Sequence, residues 1–237
     1  MKKISLTLLV VILFIAATLK ASAQTEQTRQ VSGFNGIAAS ASFSIHVKID
    51  GTESLKISAD KDIINDIETE VKDGTLKIGM KNSFSWFRHV GKVDIYVTAK
   101  SLSALSNSGS GNIKIDAGEL TGNDVTVKIS GSGSITATVK STGLNAHVSG
   151  SGTVNLTGSS NDADVTVSGS GQIRGQNFKA LSVKAGISGS GNVYINADKS
   201  ITAHISGSGS LVYSGNATNI ESSVSGSGRI RKEKIAV

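Results

Sequence analysis

The chain has 237 residues, with 24 Lys and Arg against 18 Asp and Glu, a formal charge of +6, and neither cysteine nor proline. Without thiols there is no disulfide and no thiolate-bound metal or cluster, so core packing and hydrogen bonding carry the fold unaided. The lack of proline suits a backbone whose N–H groups are nearly all committed to sheet ladders.

Residues 1–23, "MKKISLTLLVVILFIAATLKASA", read as a secretory signal peptide. Lys2 and Lys3 precede an apolar run from Ile4 to Leu19, and Ala21-Ser22-Ala23 follows, with cleavage expected after Ala23. The apolar run is 16 residues long, short of the roughly 20 needed to span a bilayer, so no transmembrane segment is expected in the mature chain. No cysteine follows it, so no lipid-modified N-terminus is expected either. Removing the leader leaves 21 basic residues against 18 acidic, a charge of +3. That balance is too mild for a nucleic-acid partner. The expected destination lies across the inner membrane, in the periplasm, on the outer surface or in the medium.

Residues 24–105 read as a β-rich N-terminal part without a visible repeat, closing the near end of the same β structure. "SFSIHVKI" alternates Phe43, Ile45, Val47 and Ile49, while Leu76 with Ile78 and Val93 with Ile95 and Val97 mark further half-buried strands. "DKDIINDIE" reads as a helical turn or a corner. "NSFSWFRHVG" holds Phe84, Trp86 and Phe87, three of the chain's ten aromatic residues, beside Arg88. Aromatic faces next to a cation suit stacking on sugar rings or docking on protein, which makes Phe84, Trp86, Phe87 and Arg88 a candidate binding loop. The competing reading is a plug for the open end of a solenoid.

Residues 106–237 are a repeat. S-G-S-G begins at Ser108, Ser130, Ser149, Ser168, Ser188, Ser206 and Ser225, in steps of 22, 19, 19, 20, 18 and 19 residues. An apolar residue sits immediately before nearly every motif and another one residue past it, as Val148 and Val154 do around Ser149. Alternation of this kind is a strand with one buried face, and strands at a fixed short period stack into a solenoid. Two helices do not fit into 19 or 20 residues, and β-branched residues with glycine pairs are poor helix formers. A propeller blade needs about 40 residues. The fold class expected is therefore all-β: a right-handed parallel β-helix of about seven rungs, on the order of 30 Å long.

The glycines Gly131, Gly133, Gly150, Gly152, Gly169, Gly171, Gly189, Gly191, Gly207, Gly209, Gly226 and Gly228 are structural turn residues in this reading, because a corner at each coil calls for φ > 0. A serine nucleophile finds no supporting base, since His147 and His204 occupy equivalent positions three rungs, about 14 Å, apart. "RIRKEKIAV" ends the chain with charges that blunt an open sheet edge.

"VSGFNGIAASASFSIHV", then "VKDGTLKIGM", then "VDIYVTAKSLSALSNSGSGNI" running into repeated S-G-S-G resembles the family described as putative auto-transporter adhesin, head GIN domain, common in Bacteroidetes. The resemblance covers nearly the whole mature chain. It implies a secreted β-helical protein with an adhesin role, and brings no catalytic residues with it. No barrel-forming segment follows Val237, so self-export through a barrel of its own is not expected.

An enzyme on this scaffold would need carboxylates, or an acid with Arg or Lys, converging on one face. The repeat's acids are dispersed; Asp162 and Asp164 form the one tight pair. The slot after each corner holds no acid, against repeated calcium sites, and no glycine tract opens a phosphate-binding helix. The expectation is a secreted, non-enzymatic, adhesin-like binding module without a cofactor or metal, whose partner is a glycan or a cell-surface protein. A periplasmic or envelope module that meets other proteins is the alternative, and a polysaccharide-processing enzyme a weaker one.

Overall fold

The computed structural model describes residues 24–81 and 91–233; Ala23 and the leader lie outside them. The strands are β1 (Thr25–Arg29), β2 (Gly36–Ser40), β3 (Ser44–Ile49), β4 (Ser54–Ala59), β5 (Ile67–Lys72), β6 (Thr75–Met80), β7 (Asp94–Ala99), β8 (Ala104–Asn107) and β9 (Asn112–Ala117). The repeat continues them as β10 (Leu120–Gly131), β11 (Ser134–Gly150), β12 (Thr153–Gly169), β13 (Gln172–Gly189), β14 (Asn192–Gly207), β15 (Ser210–Ser214), β16 (Asn219–Gly226) and β17 (Arg229–Lys232). One helical turn, α1 (Lys61–Ile64), interrupts them.

The strands of the repeat pair in parallel and in register, so the chain is a β-solenoid. Ile135, Val154, Ile173, Val193, Leu211 and Ile230 stand one above another. So do Val127, Ala146, Val165, Ala185, Ala203 and Ser222 before the corner. Each of β11, β12, β13 and β14 runs from one S-G-S-G corner to the next. A coil thus has an approach side before the corner, an exit side after it, and a return side. Alternate residues point inward into an aliphatic interior built almost wholly from Val, Ile, Leu and Ala. No coil could bury that face alone; stacking does so.

The two glycines of a corner do different work. Gly150 has φ +107°, a conformation that L side chains avoid, and a Cβ on it would lie 2.7 Å from Gly131 O. Gly152 is not left-handed; there a Cβ would come within 2.8 Å of Gly133 O and 2.5 Å of Ile129 Cγ2. Close approach demands glycine at the second place. The coils touch here because the ladder continues through the corner, with Ser151 N–H donating to Gly131 C=O and Thr153 N–H to Gly133 C=O, both at 3.0 Å. Asn107, polar at an inward position, is buried and tied to its own corner. Its Nδ2 donates to Gly111 O at 2.6 Å and its Oδ1 accepts from Gly109 N–H at 3.1 Å.

Unequal repeat lengths are absorbed on the exit and return sides. Register shifts lie between Asn155 and Thr157, and between Gly175 and Lys179. Phe178 falls within the second, opposite Gly158, and is the largest fully buried side chain among the described residues.

The N-terminal strands belong to the same coil, but their order in the stack is not their order in the chain. β2 lies between β6 and β8, and β3 between β7 and β9, all in parallel. The segment Ser40-Ala41-Ser42-Phe43 turns the corner here, with Gly111 N–H donating to Ala41 C=O at 3.0 Å and Asn112 N–H to Phe43 C=O at 2.7 Å. Beyond this coil the pairing becomes antiparallel, β4 to β7, β1 to β4 and β5 to β6. Arg29 binds this end together, donating to Ile67 O at 2.7 Å, Ile64 O at 3.0 Å and Thr69 Oγ1 at 3.0 Å. Ile63 and Ile64 of α1 are buried.

Glu53 fastens the loop leading into β2. Its Oε1 accepts from Gly33 N–H at 2.8 Å and Phe34 N–H at 3.3 Å, and its Oε2 lies 3.0 Å from Lys100 Nζ. The Lys100 ammonium, with the two N–H groups, holds this carboxyl below the usual range against the opposing effect of desolvation. A depressed folded pKa gives stability that is complete above the unfolded value, about 4.3, and lost as pH falls through the folded one. Glu53→Gln is therefore expected to lower Tm at neutral pH and to flatten the fall of Tm below about pH 4.3. Melting curves from neutral to acid pH check this; parallel profiles for the two proteins would disconnect Glu53 from acid stability.

Candidate functional site

The outward residues form columns that run the length of the rod, and the two sides meeting at the corner carry different chemistry. On the approach side one column varies in height from coil to coil. In stacking order it runs Lys77, Ala38, Ser106, Lys128, His147, Thr166, Gly186, His204 and Ser223, so that Lys77, the adjacent pair Lys128 and His147, and His204 stand up as posts. Three open depressions result. The first, about 320 Å³, lies among Ala38, Ser40, Glu70, Lys77 and Gly79. The second, about 550 Å³, lies among Thr126, Lys128, Asn145, His147 and Thr166. The third, about 390 Å³, lies where Gly186 leaves a notch between Thr166 and His204. Thr166 borders both of the latter, so they run on as one trough. Ser188, Ser206 and Ser225, which open their corners, line its far part.

The posts are chemically unspent. Among the described residues the side chains of Lys128, His147 and His204 make no hydrogen bond or ion pair within the protein. Asp164 is held instead by Lys184, with Nζ at 3.5 Å from Oδ2, and Thr166 Oγ1 donates to it at 3.4 Å. Asp162, two residues away on the same side, is exposed. The pair singled out in the sequence thus faces the surface, one member neutralised by a lysine. His147 and His204 are separated by β12 and β13, too far apart to share a proton or a metal. Among the described residues no group of three His, Asp or Glu lies close enough to hold a metal ion.

The exit side is more tightly cross-linked. Its middle column runs Lys56, Tyr96, His46, Lys114, Thr136, Asn155, Arg174, Tyr194, Val212, Arg231. His46 stacks on Tyr96, with ring centroids 5.3 Å apart and planes at 20°, and Lys56 Nζ sits 5.1 Å from the Tyr96 ring centre. His46 Nδ1 lies 2.8 Å from Asp116 Oδ2, and Lys114 Nζ 2.9 Å from Asp116 Oδ1. These partners, Lys114 foremost, hold the Asp116 carboxyl below its usual range. Further along, Asn155 Nδ2 donates to Thr136 Oγ1 at 3.2 Å, and the hydroxyls of Thr138 and Thr157 are 2.9 Å apart. Much of this side's hydrogen-bonding capacity is spent within the sheet.

Phe84, Trp86, Phe87 and Arg88, the candidate loop of the sequence reading, lie outside the described residues. The sequence reading passed over His46 and Tyr96, since nothing in the period places β3 beside β7. Setting Ser40-Ala41-Ser42-Phe43-Ser44-Ile45 on Ser108-Gly109-Ser110-Gly111-Asn112-Ile113 was the signal that could have found them, because it aligns His46 with Lys114.

A coil with a sealed aliphatic interior and long polar flanks defines a solenoid scaffold for surface contact. The chain belongs to the family described as putative auto-transporter adhesin, head GIN domain, whose model matches residues 33–217. A solved structure of a putative adhesin from Bacteroides fragilis is similar at 29% identity and TM-score 0.81, over 89% of this chain and 97% of that one. A putative lipid binding protein from Parabacteroides distasonis is similar at 26% identity and TM-score 0.67, over 90% and 98%. A putative adhesin from Parabacteroides merdae, at 21% identity and TM-score 0.70 over 90% and 98%, shares the fold. A search of curated proteins finds no match. The family and these structures are thus named for adhesion and lipid binding, not for catalysis. Among the described residues no helix is long and apolar enough to cross a membrane.

Proposed function

We propose that this chain is an exported, non-enzymatic binding module that holds a glycan lengthwise in the trough of its approach side, on a cell surface or a secreted polymer. The observation that carries the reading is the coincidence of two features. The depressions described above open on one side, and the posts along them, Lys128, His147 and His204, have polar groups with no partner among the described residues. Charges of both signs line this side, including Glu70, Lys77, Lys128 and Asp164, which suits a neutral, hydroxyl-rich ligand. Shallow contact repeated over several coils gives useful avidity from weak single sites, in keeping with the adhesin naming of the family.

His147→Ala with His204→Ala is expected to weaken binding to a neutral polysaccharide about five- to tenfold, as loss of one or two modest hydrogen bonds would, and to leave Tm unchanged. A panel of neutral polysaccharides that shows no binding removes the reading. Binding that survives the double substitution places the site elsewhere.

A second reading, a module that meets another protein, is favoured by the far end of the rod. There Ile220 and Val224 are 39% and 43% exposed and the outer edge of β16 carries no further strand among the described residues. Against it, Ser222 and Lys232 replace the apolar residues of the inward columns on this last coil, and charge at an edge discourages strand addition.

A further inference from the structure

We infer that the far half of the exit side is a second binding surface, selective for a polysaccharide that carries widely spaced carboxylates. From β11 to β17 the outward positions paired along this side hold no Asp or Glu; Asp198, past Asn196 in β14 and bonded to Asn216, and Glu233, just past β17, stand at its margins. The near half is balanced by contrast, with Glu26, Asp94 and Asp116 each paired to a lysine. The acid-free half bears Arg174, Arg229 and Arg231, all exposed, and Tyr194 between the first and last of these.

Arg174 and Arg231 share one column and stand three strands apart, with Tyr194 and Val212 between them. Arg174 Nε donates to Gln172 Oε1 at 3.1 Å, and its terminal nitrogens have no partner among the described residues, nor has the guanidinium of Arg231. Val212, between Tyr194 and Arg231 in the column, is only 4% exposed and stands apart from the interior cluster. A guanidinium presents a planar fork matched to carboxylate, and a tyrosine ring between two forks gives a sugar a face to lie on.

Spacing selects the polymer. Three strands are about 14 Å, whereas a single nucleic-acid strand carries a charge about every 3.4 Å. Two cations so far apart leave most phosphates of such a strand unmatched. On their long stems they reach a chain whose carboxylates are separated by one or two neutral sugars, as one neutral sugar separates those of hyaluronan, and Asn192 and Ser210 lie beside the same path.

The test is binding of hyaluronan to the mature chain, beside carboxyl-reduced hyaluronan, which keeps the chain and loses its charge. Hyaluronan is expected to bind with at least tenfold preference over the reduced form. Arg174→Gln with Arg231→Gln is expected to cost about tenfold, as two half-exposed ion pairs would, and Arg→Glu at both to abolish binding. Both residues are exposed, so folding is checked by an unchanged melt. Equal binding of the reduced polymer, indifference to the arginine substitutions, or equal competition by oligo-dT or by anionic phospholipid vesicles would overturn the inference. The trough is tested separately. The histidine substitutions should leave hyaluronan binding intact, and the arginine substitutions should leave neutral-glycan binding intact; loss of hyaluronan binding on removing the histidines would overturn the assignment to this side.

Discussion

Phe178→Ala is expected to lower stability by about 3 to 5 kcal/mol, and Tm by roughly 6 to 20 °C for a chain of this size. The ring is fully buried and stands opposite Gly158 on the neighbouring coil. Gly158 is itself left-handed, at φ +102°, and a Cβ there would strike the Val139 backbone on the coil before it. Truncation opens a cavity beside a strand that stays laddered to β12 although its ladder to β14 is interrupted here, so the walls close over it only in part. Phe178→Leu keeps most of the volume and should recover the larger part of the loss. Thermal melts of the three proteins decide the matter. A shift below about 2 °C for the alanine variant would mean that the extra residues of this coil tolerate a void.

The second large effect is expected at a corner. Gly150→Val should cost about 2 to 5 kcal/mol, combining left-handed strain with a clash against backbone. The clash is with Gly131 O, itself the acceptor of the Ser151 N–H bond at 3.0 Å, so neither atom can withdraw without breaking the ladder. Ser149→Ala, one residue away, is expected to stay within about 0.5 kcal/mol. Denaturant titration of both variants measures the contrast. Equal midpoints would show that the corner does not need glycine. The first coil supplies an internal control, for Ala41 occupies the corresponding corner where the backbone opens to φ 159°, close to extended.

The inward columns were legible in the sequence because alternation at period two is a local property. Val148, Val154 and their equivalents declare their side of the strand wherever the coil goes, and the glycine pair marks the register. Partnership between distant strands is not local. Ile45 reads as inward from its neighbours alone, but its position between Ile95 and Ile113 depends on segments fifty and sixty-eight residues further on. Ala41 and Phe43 had lost the two glycines that make the corner visible, so this coil escaped the count of repeats. Asn107 looked like an exception to the apolar column; it is inward and buried, and polar because it ties its own corner. The trough was illegible for a different reason. It arises from the heights of successive side chains across coils, Lys128, His147, Thr166, Gly186 and His204, and not from any short motif.

Interleaving gives the rod two mechanically unlike ends. The turn made by residues 36–49 is gripped between turns that the chain makes only later. A pull on the amino end must shear two ladders at once before that turn comes free. From the carboxyl end each turn rests on a single neighbour and can be peeled away in sequence, as in any one-dimensional stack. Load carried through Gln24 would therefore meet a clasp, and load carried through the last turn a zipper.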